Sequence, residues 1–188
     1  MGYTTDFTGS FTVTPAVSNE FMDYINKFSG TRRMKRDPEV IKEMDPEWDK
    51  HTFNHTLGID GGYYTPPDVI DESWLADNDR NARMRKAYGS SIKNHFGQEE
   101  DKSILEYNYP PYEQPGLWCQ WIMTDKNTLE WDGGEKFYNY VEWLDYLIRH
   151  FFAPSGYTIS GTVTWIGEIG DDFGKIDVNN NTISIHSF

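Results

Sequence analysis

The run 129–152, LEWDGGEKFYNYVEWLDYLIRHFF, constrains the fold of this chain more than any other stretch. It reads as a strand end, a sharp turn at Gly133-Gly134, and the strongest amphipathic helix in the sequence. Asp132 and Glu135 flank the turn at the spacing of a capping box, in which an acidic N-cap accepts a backbone N–H and the glutamate reaches back. Phe137, Val141, Leu144, Ile148 and Phe151 follow at steps of three and four, which predicts one buried helical face over 135–152. Glu135, Asn139, Glu142 and Arg149 fall on the opposite, wet face, and Pro154 and Gly156 stop the helix.

The rest of the chain is arranged around that helix. Residues 3–14 alternate and are rich in Thr and Phe, so they predict a strand kinked at Gly9 and ended by Pro15. Ser18 caps a second helix with Phe21, Tyr24 or Ile25, and Phe28 inward and Gly30 as its stop. Residues 38–67 read as irregular because Pro38, Pro46, Gly58, Gly61-Gly62 and Pro66-Pro67 interrupt every pattern. Residues 68–106 are a charged excursion, and 107–116, YNYPPYEQPG, is an extended Pro- and Tyr-rich linker. A hairpin is expected from 117–124 and 128–131, then strands over 157–166, 173–178 and 182–186, the last two joined through Asn179-Asn180-Asn181. The segments GSFTV (9–13) and GTVTW (161–165) read as pseudo-repeated strands.

The predicted fold is therefore a single α+β domain over 1–188, an antiparallel sheet with two helices on one face. Its element order suggests a ferredoxin-like βαββαβ unit plus a C-terminal β-hairpin, with 68–106 as an insertion. Aromatic residues (Trp 7, Tyr 12, Phe 11) supply the apolar area that a mean hydropathy of -0.71 would otherwise leave in doubt.

Charge and motif content narrow the chemistry. A net charge of -13 argues against duplex DNA and anionic membranes as partners. The single cysteine, Cys119, sits in an apolar run and excludes an internal disulfide; it reads as a buried, inert thiol. With no long apolar run and Asp6 close behind the first residue, a cytoplasmic location is expected. His51 and His55 are four apart but lack the glutamate of a zincin, and 77–88 starts like a calcium loop yet has Ala82 where Gly is required. No Walker, Rossmann or G-x-S-x-G pattern occurs, so no cofactor and no metal are expected. Glu130, Asp132, Glu135 and Glu142 offer a carboxylate pair for a small hydrolase, although capping already accounts for two of them.

The segment TRRMKRD (31–37) concentrates Arg32, Arg33, Lys35 and Arg36 in an otherwise acidic chain. Forked guanidinium donors of that kind suit a phosphate or carboxylate. Trp121, Trp131 and Tyr138 add stacking faces, and Glu130 completes a rim beside the Gly-Gly turn. These eight side chains form the candidate ligand site, with no catalytic residues among them.

TRRMKRD, QPGLWCQW (114–121), EWDGGEKFYNYVEWL (130–144) and GTVTWIGE…DFGKIDVNNN (161–181) together resemble a family of small, functionally uncharacterised proteins of phages, prophages and bacterial genomes. The opening MGYTTDFTGSF is similar to the start of the same family. The resemblance covers the first 37 or so residues and most of 107–185, and 68–95 looks like an insertion. It implies an association with mobile genetic elements and brings no catalytic residues. The function expected is counter-defence by sequestering an anionic, nucleotide-derived ligand. The alternative is an acidic decoy that blocks a nucleic-acid-binding defence enzyme, with Glu99, Glu100, Asp101, Asp171 and Asp172 imitating phosphates. The expected partner is thus an anionic small molecule or a host protein, with homo-oligomerisation as a further option.

Overall fold

The computed structural model describes residues 2–53, 56–67 and 100–188. In chain order the elements are β1 (Thr5–Thr14), α1 (Asn19–Ser29), β2 (Lys35–Arg36), α2 (Pro38–Met44), 3-10 turns at Trp48–His51 and Ile59–Gly61, and β3 (Ile104–Glu106). Then come β4 (Trp121–Asp125), β5 (Thr128–Trp131), α3 (Tyr140–Leu147) with a π-helical turn at Ile148–Phe152, β6 (Thr158–Gly167), β7 (Phe173–Asn179) and β8 (Thr182–Ser187). Most of the charged stretch expected as an insertion, 68–99, lies outside the described residues, as does His55.

The fold is mixed α/β. A six-stranded sheet runs in the order β4-β5-β1-β6-β7-β8, and β2 pairs with β3 in a separate two-stranded sheet. Every pairing is antiparallel. This order departs from a bare βαββαβ unit with a hairpin attached: β7 and β8 continue the main sheet, and β2, α2 and β3 intervene between α1 and β4.

The two pseudo-repeated segments lie against each other at the sheet centre. Gly9 pairs with Val163 and Phe11 with Gly161. Gly9 has φ 106° and Gly161 φ 143°; a Cβ at Gly9 would stand 2.6 Å from the Thr162 carbonyl, and one at Gly161 2.8 Å from that of Ser10. Both positions therefore require glycine. Side chains alternate across the sheet with period two. Phe7, Phe11, Val13, Ile159, Val163, Trp165, Ile176 and Val178 face one core with Phe21, Ile25 and Phe28 of α1 and Trp143, Leu144 and Leu147 of α3. Thr8, Thr12, Thr162 and Thr164 are exposed on the other face.

The helices follow local chemistry. Ser18 Oγ accepts from the Phe21 N–H at 3.1 Å, and Gly30 closes α1. α1 also covers one edge of the sheet. Asn26 Nδ2 donates to the Met123 carbonyl at 2.9 Å, its Oδ1 accepts from Met123 N–H at 2.8 Å, and Ser29 Oγ donates to the Trp121 carbonyl at 2.7 Å. The sequence reading missed α2, although Asp37 accepts from Glu39 N–H at 2.9 Å and Pro38 occupies the first helical position.

The organising helix starts at Tyr140, later than its apolar spacing predicts. Lys136 (φ 59°) and Asn139 (φ 55°) are left-handed and break the helix before it reaches the Gly-Gly turn. Asp132 instead accepts from Gly134 N–H at 2.7 Å as an Asx turn, so no capping box forms with Glu135. At the far end Ala153 N–H donates to Ile148 at 2.9 Å in an i→i+5 step. This turn falls where the adjacent Phe151 and Phe152 are both buried. Among the described residues no helix is long and apolar enough to cross a membrane.

Candidate functional site

The basic segment leaves α1 at Gly30 and passes beneath 57–64 and 111–117. Arg33 is only 2 % exposed. Its Nε donates to Gln114 Oε1 at 3.2 Å, Nη2 to the carbonyls of Gly62 (2.8 Å) and Tyr64 (3.1 Å), and its guanidinium lies 4.1 Å over the Phe28 ring. Nη1 has no hydrogen-bond partner among the described residues. Loss of hydration pulls Arg33 down to about 10, so it is still a cation at neutral pH. Gln114 extends this network by donating to Gly62 at 2.6 Å and to the Tyr146 hydroxyl at 3.1 Å.

Arg36, 3 % exposed, donates to Asp101 at 2.5 Å and to Ser103 Oγ at 2.7 Å. Arg32 stacks on Tyr107 at 4.4 Å and donates to Asn108 Oδ1 at 3.0 Å. Lys35 stands 3.8 Å from Asp60. The cluster therefore binds the protein's own carbonyls, carboxylates and rings, with Arg32 and Lys35 the half-exposed members.

The expected rim divides between the two faces of the sheet. Trp121 is fully buried, and its Nε1 donates to the Tyr140 carbonyl at 2.8 Å. Its cross-strand partner is Trp131, which packs edge-on to Phe7 at 5.4 Å and donates to Gln120 Oε1 at 3.0 Å. Glu130 pairs with Ile122 and takes the face opposite Leu129. Tyr138 is 50 % exposed and accepts from Tyr3 N–H at 3.0 Å. No hydrogen bond, ion pair or ring contact described joins Arg32, Arg33, Lys35 or Arg36 to Glu130, Trp131 or Tyr138.

A second site assembles around Tyr138; the sequence names Tyr138, Asp171 and Asp172 separately but does not bring them together. Pairing of β1 with β6 brings Tyr3 to the 168–172 loop. The Tyr3 hydroxyl donates to Asp172, which also accepts from Trp165 Nε1 at 3.1 Å, and Glu168 accepts from Thr4 N–H at 2.8 Å. The bond to Asp172 holds the Tyr3 phenol above its usual range. Exposed on the same end are Glu168, Asp171, Ile166, Ile169, Phe173 and Phe188, the two phenylalanines stacked at 6.2 Å. Nothing local in sequence signals this, because its partners are brought together only by strand register.

No protein-family model, curated protein or solved structure matches the chain. Its chemistry therefore rests on its own side chains. The carboxylates expected for hydrolysis diverge: Glu130 lies across from Ile122, Asp132 closes its Asx turn, and Glu142 is on the exposed side of α3. Among the described residues no three of His, Cys, Asp and Glu are grouped to hold a metal ion. Cys119 is buried, and loss of hydration pushes its thiol up to about 12.

Proposed function

We propose that this is a phage- or mobile-element-associated binding protein that acts without catalysis, as an acidic decoy against a nucleic-acid-binding defence enzyme of the host cytoplasm. The observation that carries this reading is the end of the molecule around Tyr3 and Tyr138. There carboxylates (Glu168, Asp171) stand beside exposed Ile166, Ile169, Phe173 and Phe188. Surface of that composition suits a basic protein groove: charge steers the encounter and aromatic anchors hold it. Of the carboxylates first considered as phosphate mimics, Asp101 and Asp172 are held by side chains of the protein; Asp171 is kept, and Glu168, which is exposed and accepts from the Thr4 N–H, is added.

We propose that β1-α1-β4 and β5-α3-β6 are interleaved split units of a ferredoxin-like core, since each helical crossover skips one strand of the sheet. The test is inhibition of DNA cleavage across a panel of purified defence nucleases, comparing wild type with Glu168→Lys/Asp171→Lys. Inhibition should fall at least about tenfold on charge reversal and weaken steeply with added salt. Failure to inhibit any enzyme, or inhibition indifferent to the reversal, rejects the decoy.

One observation favours sequestration of an anionic, nucleotide-derived ligand as a second reading. Arg33 is a buried cation whose contacts are carbonyl oxygens and a ring, with Nη1 unpartnered among the described residues. A buried charge of this kind gains from an anion. A thermal-shift panel of nucleotides checks it: a ligand that raises Tm for wild type and not for Arg33→Lys supports the reading, and a flat panel removes it.

A further inference from the structure

β4 and β8 are the two edges of the main sheet, and they are finished differently. The outward groups of β4 are occupied by Asn26 and Ser29 of α1. β8 has no such cover described. Phe188 N–H donates to the Phe173 carbonyl at 3.1 Å, continuing the ladder in which Lys175 pairs with His186 and Asp177 with Ser184. Bonded and non-bonded pairs alternate in an antiparallel ladder, so Ile183, Ile185 and Ser187 turn their N–H and C=O away from β7.

The sequence of this edge carries no protection against pairing. TISIHS contains no Pro, Lys, Arg, Asp or Glu, the residues that block strand addition in other sheets. Ile185 is 53 % exposed on the same face as Ile183, which packs against the core. Charge selects the occupant. With a net charge of -13, two copies of this chain repel over most of their surfaces. β8 is an uncharged strip apart from His186, and its neighbour in the ladder there is Lys175. An uncharged edge is also self-complementary in antiparallel pairing, because no like charges then stand opposite each other.

We propose that β8 is a dimerisation edge and that its occupant is a second copy of this chain. Two β8 strands pair antiparallel about a two-fold axis at Ile185. Ile185 exchanges main-chain hydrogen bonds with its counterpart, and Ile183 does so with Ser187 of the other copy, so the sheet continues across the interface. Phe188 adjoins both this edge and the Phe173 pair of the proposed decoy surface, but the dimer is tested by oligomeric state and the decoy by nuclease inhibition, so each stands or falls on its own measurement.

Sedimentation velocity of the full chain at high-micromolar concentration tests the proposal, with Ile185→Pro and Ile185→Lys as interface variants and Thr124→Lys, exposed at the other edge, as control. Wild type and control should sediment as dimers, and both interface variants as monomers with an unchanged far-ultraviolet circular dichroism spectrum. A monomeric wild type overturns the proposal, including the case in which the edge serves an unrelated peptide. Variants that stay dimeric overturn it as well. If the variants misfold, amide exchange of wild type decides: exchange at Ile183, Ile185 and Ser187 must slow as concentration rises, and concentration-independent exchange is a refutation.

Discussion

Arg36 and Asp101 show how much of the basic cluster is structural. Removing the negative charge with Asp101→Asn leaves a buried guanidinium with only neutral side-chain acceptors, the new amide oxygen and Ser103 Oγ. Breaking such a pair on one side should cost about 2–4 kcal/mol, read by urea denaturation at neutral pH. Burial alone would raise Asp101, but hydrogen bonds from Ser103 and Arg36 outweigh it and hold the carboxyl below its usual range. The unfolded chain therefore takes up the proton first as pH falls. The stability is complete above the ordinary aspartate value and is lost as pH drops toward the lower folded value; Asp101→Asn should flatten that acid limb. His150 acts at a higher pH. Burial and then Arg149 hold it below the ordinary histidine value, so acidification through that value should destabilise the wild type, and His150→Phe should not show the loss. Cys119 offers a simpler check: iodoacetamide should label it only after unfolding, since the thiol is buried and pushed up to about 12.

Among the elements, the strands of the six-stranded sheet and α1 were readable because their signals are local, whereas the short β2 and β3 were not. Alternation marked 3–14 as a strand, in which Phe7, Phe11 and Val13 are the buried side; Ser18 capped α1; and Asn180 and Asn181 adopt the left-handed turn (φ 48° and 67°) that the three asparagines suggest. The start of α3 was not readable. Apolar spacing continues back to Phe137, which is indeed buried, but it gets there through a loop with left-handed residues at Lys136 and Asn139. Periodicity reports which side chains go inside and not how the backbone takes them there. The glycines of the central strand pair give an element-scale prediction. Gly9→Ala and Gly161→Ala each place a methyl group against a facing carbonyl at a positive φ, and should each lower stability by about 1–3 kcal/mol or more in thermal or urea unfolding.

For the whole molecule, composition pointed to an aromatic core, which Phe, Trp and Tyr side chains form, and the element order to an antiparallel sheet. The sheet's six-strand continuity and the Tyr3–Asp172–Tyr138 cluster depend on long-range register, which no window of sequence carries. The basic cluster looked like a ligand site because charge density is visible in sequence and the burial of Arg33 and Arg36 is not. The clasp of Asn26 on Met123 has a stoichiometric consequence. A sheet with two bare edges would polymerise, whereas a sheet with one edge already closed can add a single neighbour and then stop. Replacing Asn26 with Leu should cost about 1–3 kcal/mol through the unpaired Met123 groups. It should also turn the dimer proposed at β8 into an open-ended assembly, seen as light scattering that grows with time and with protein concentration. On this view α1 is the chain terminator of the sheet.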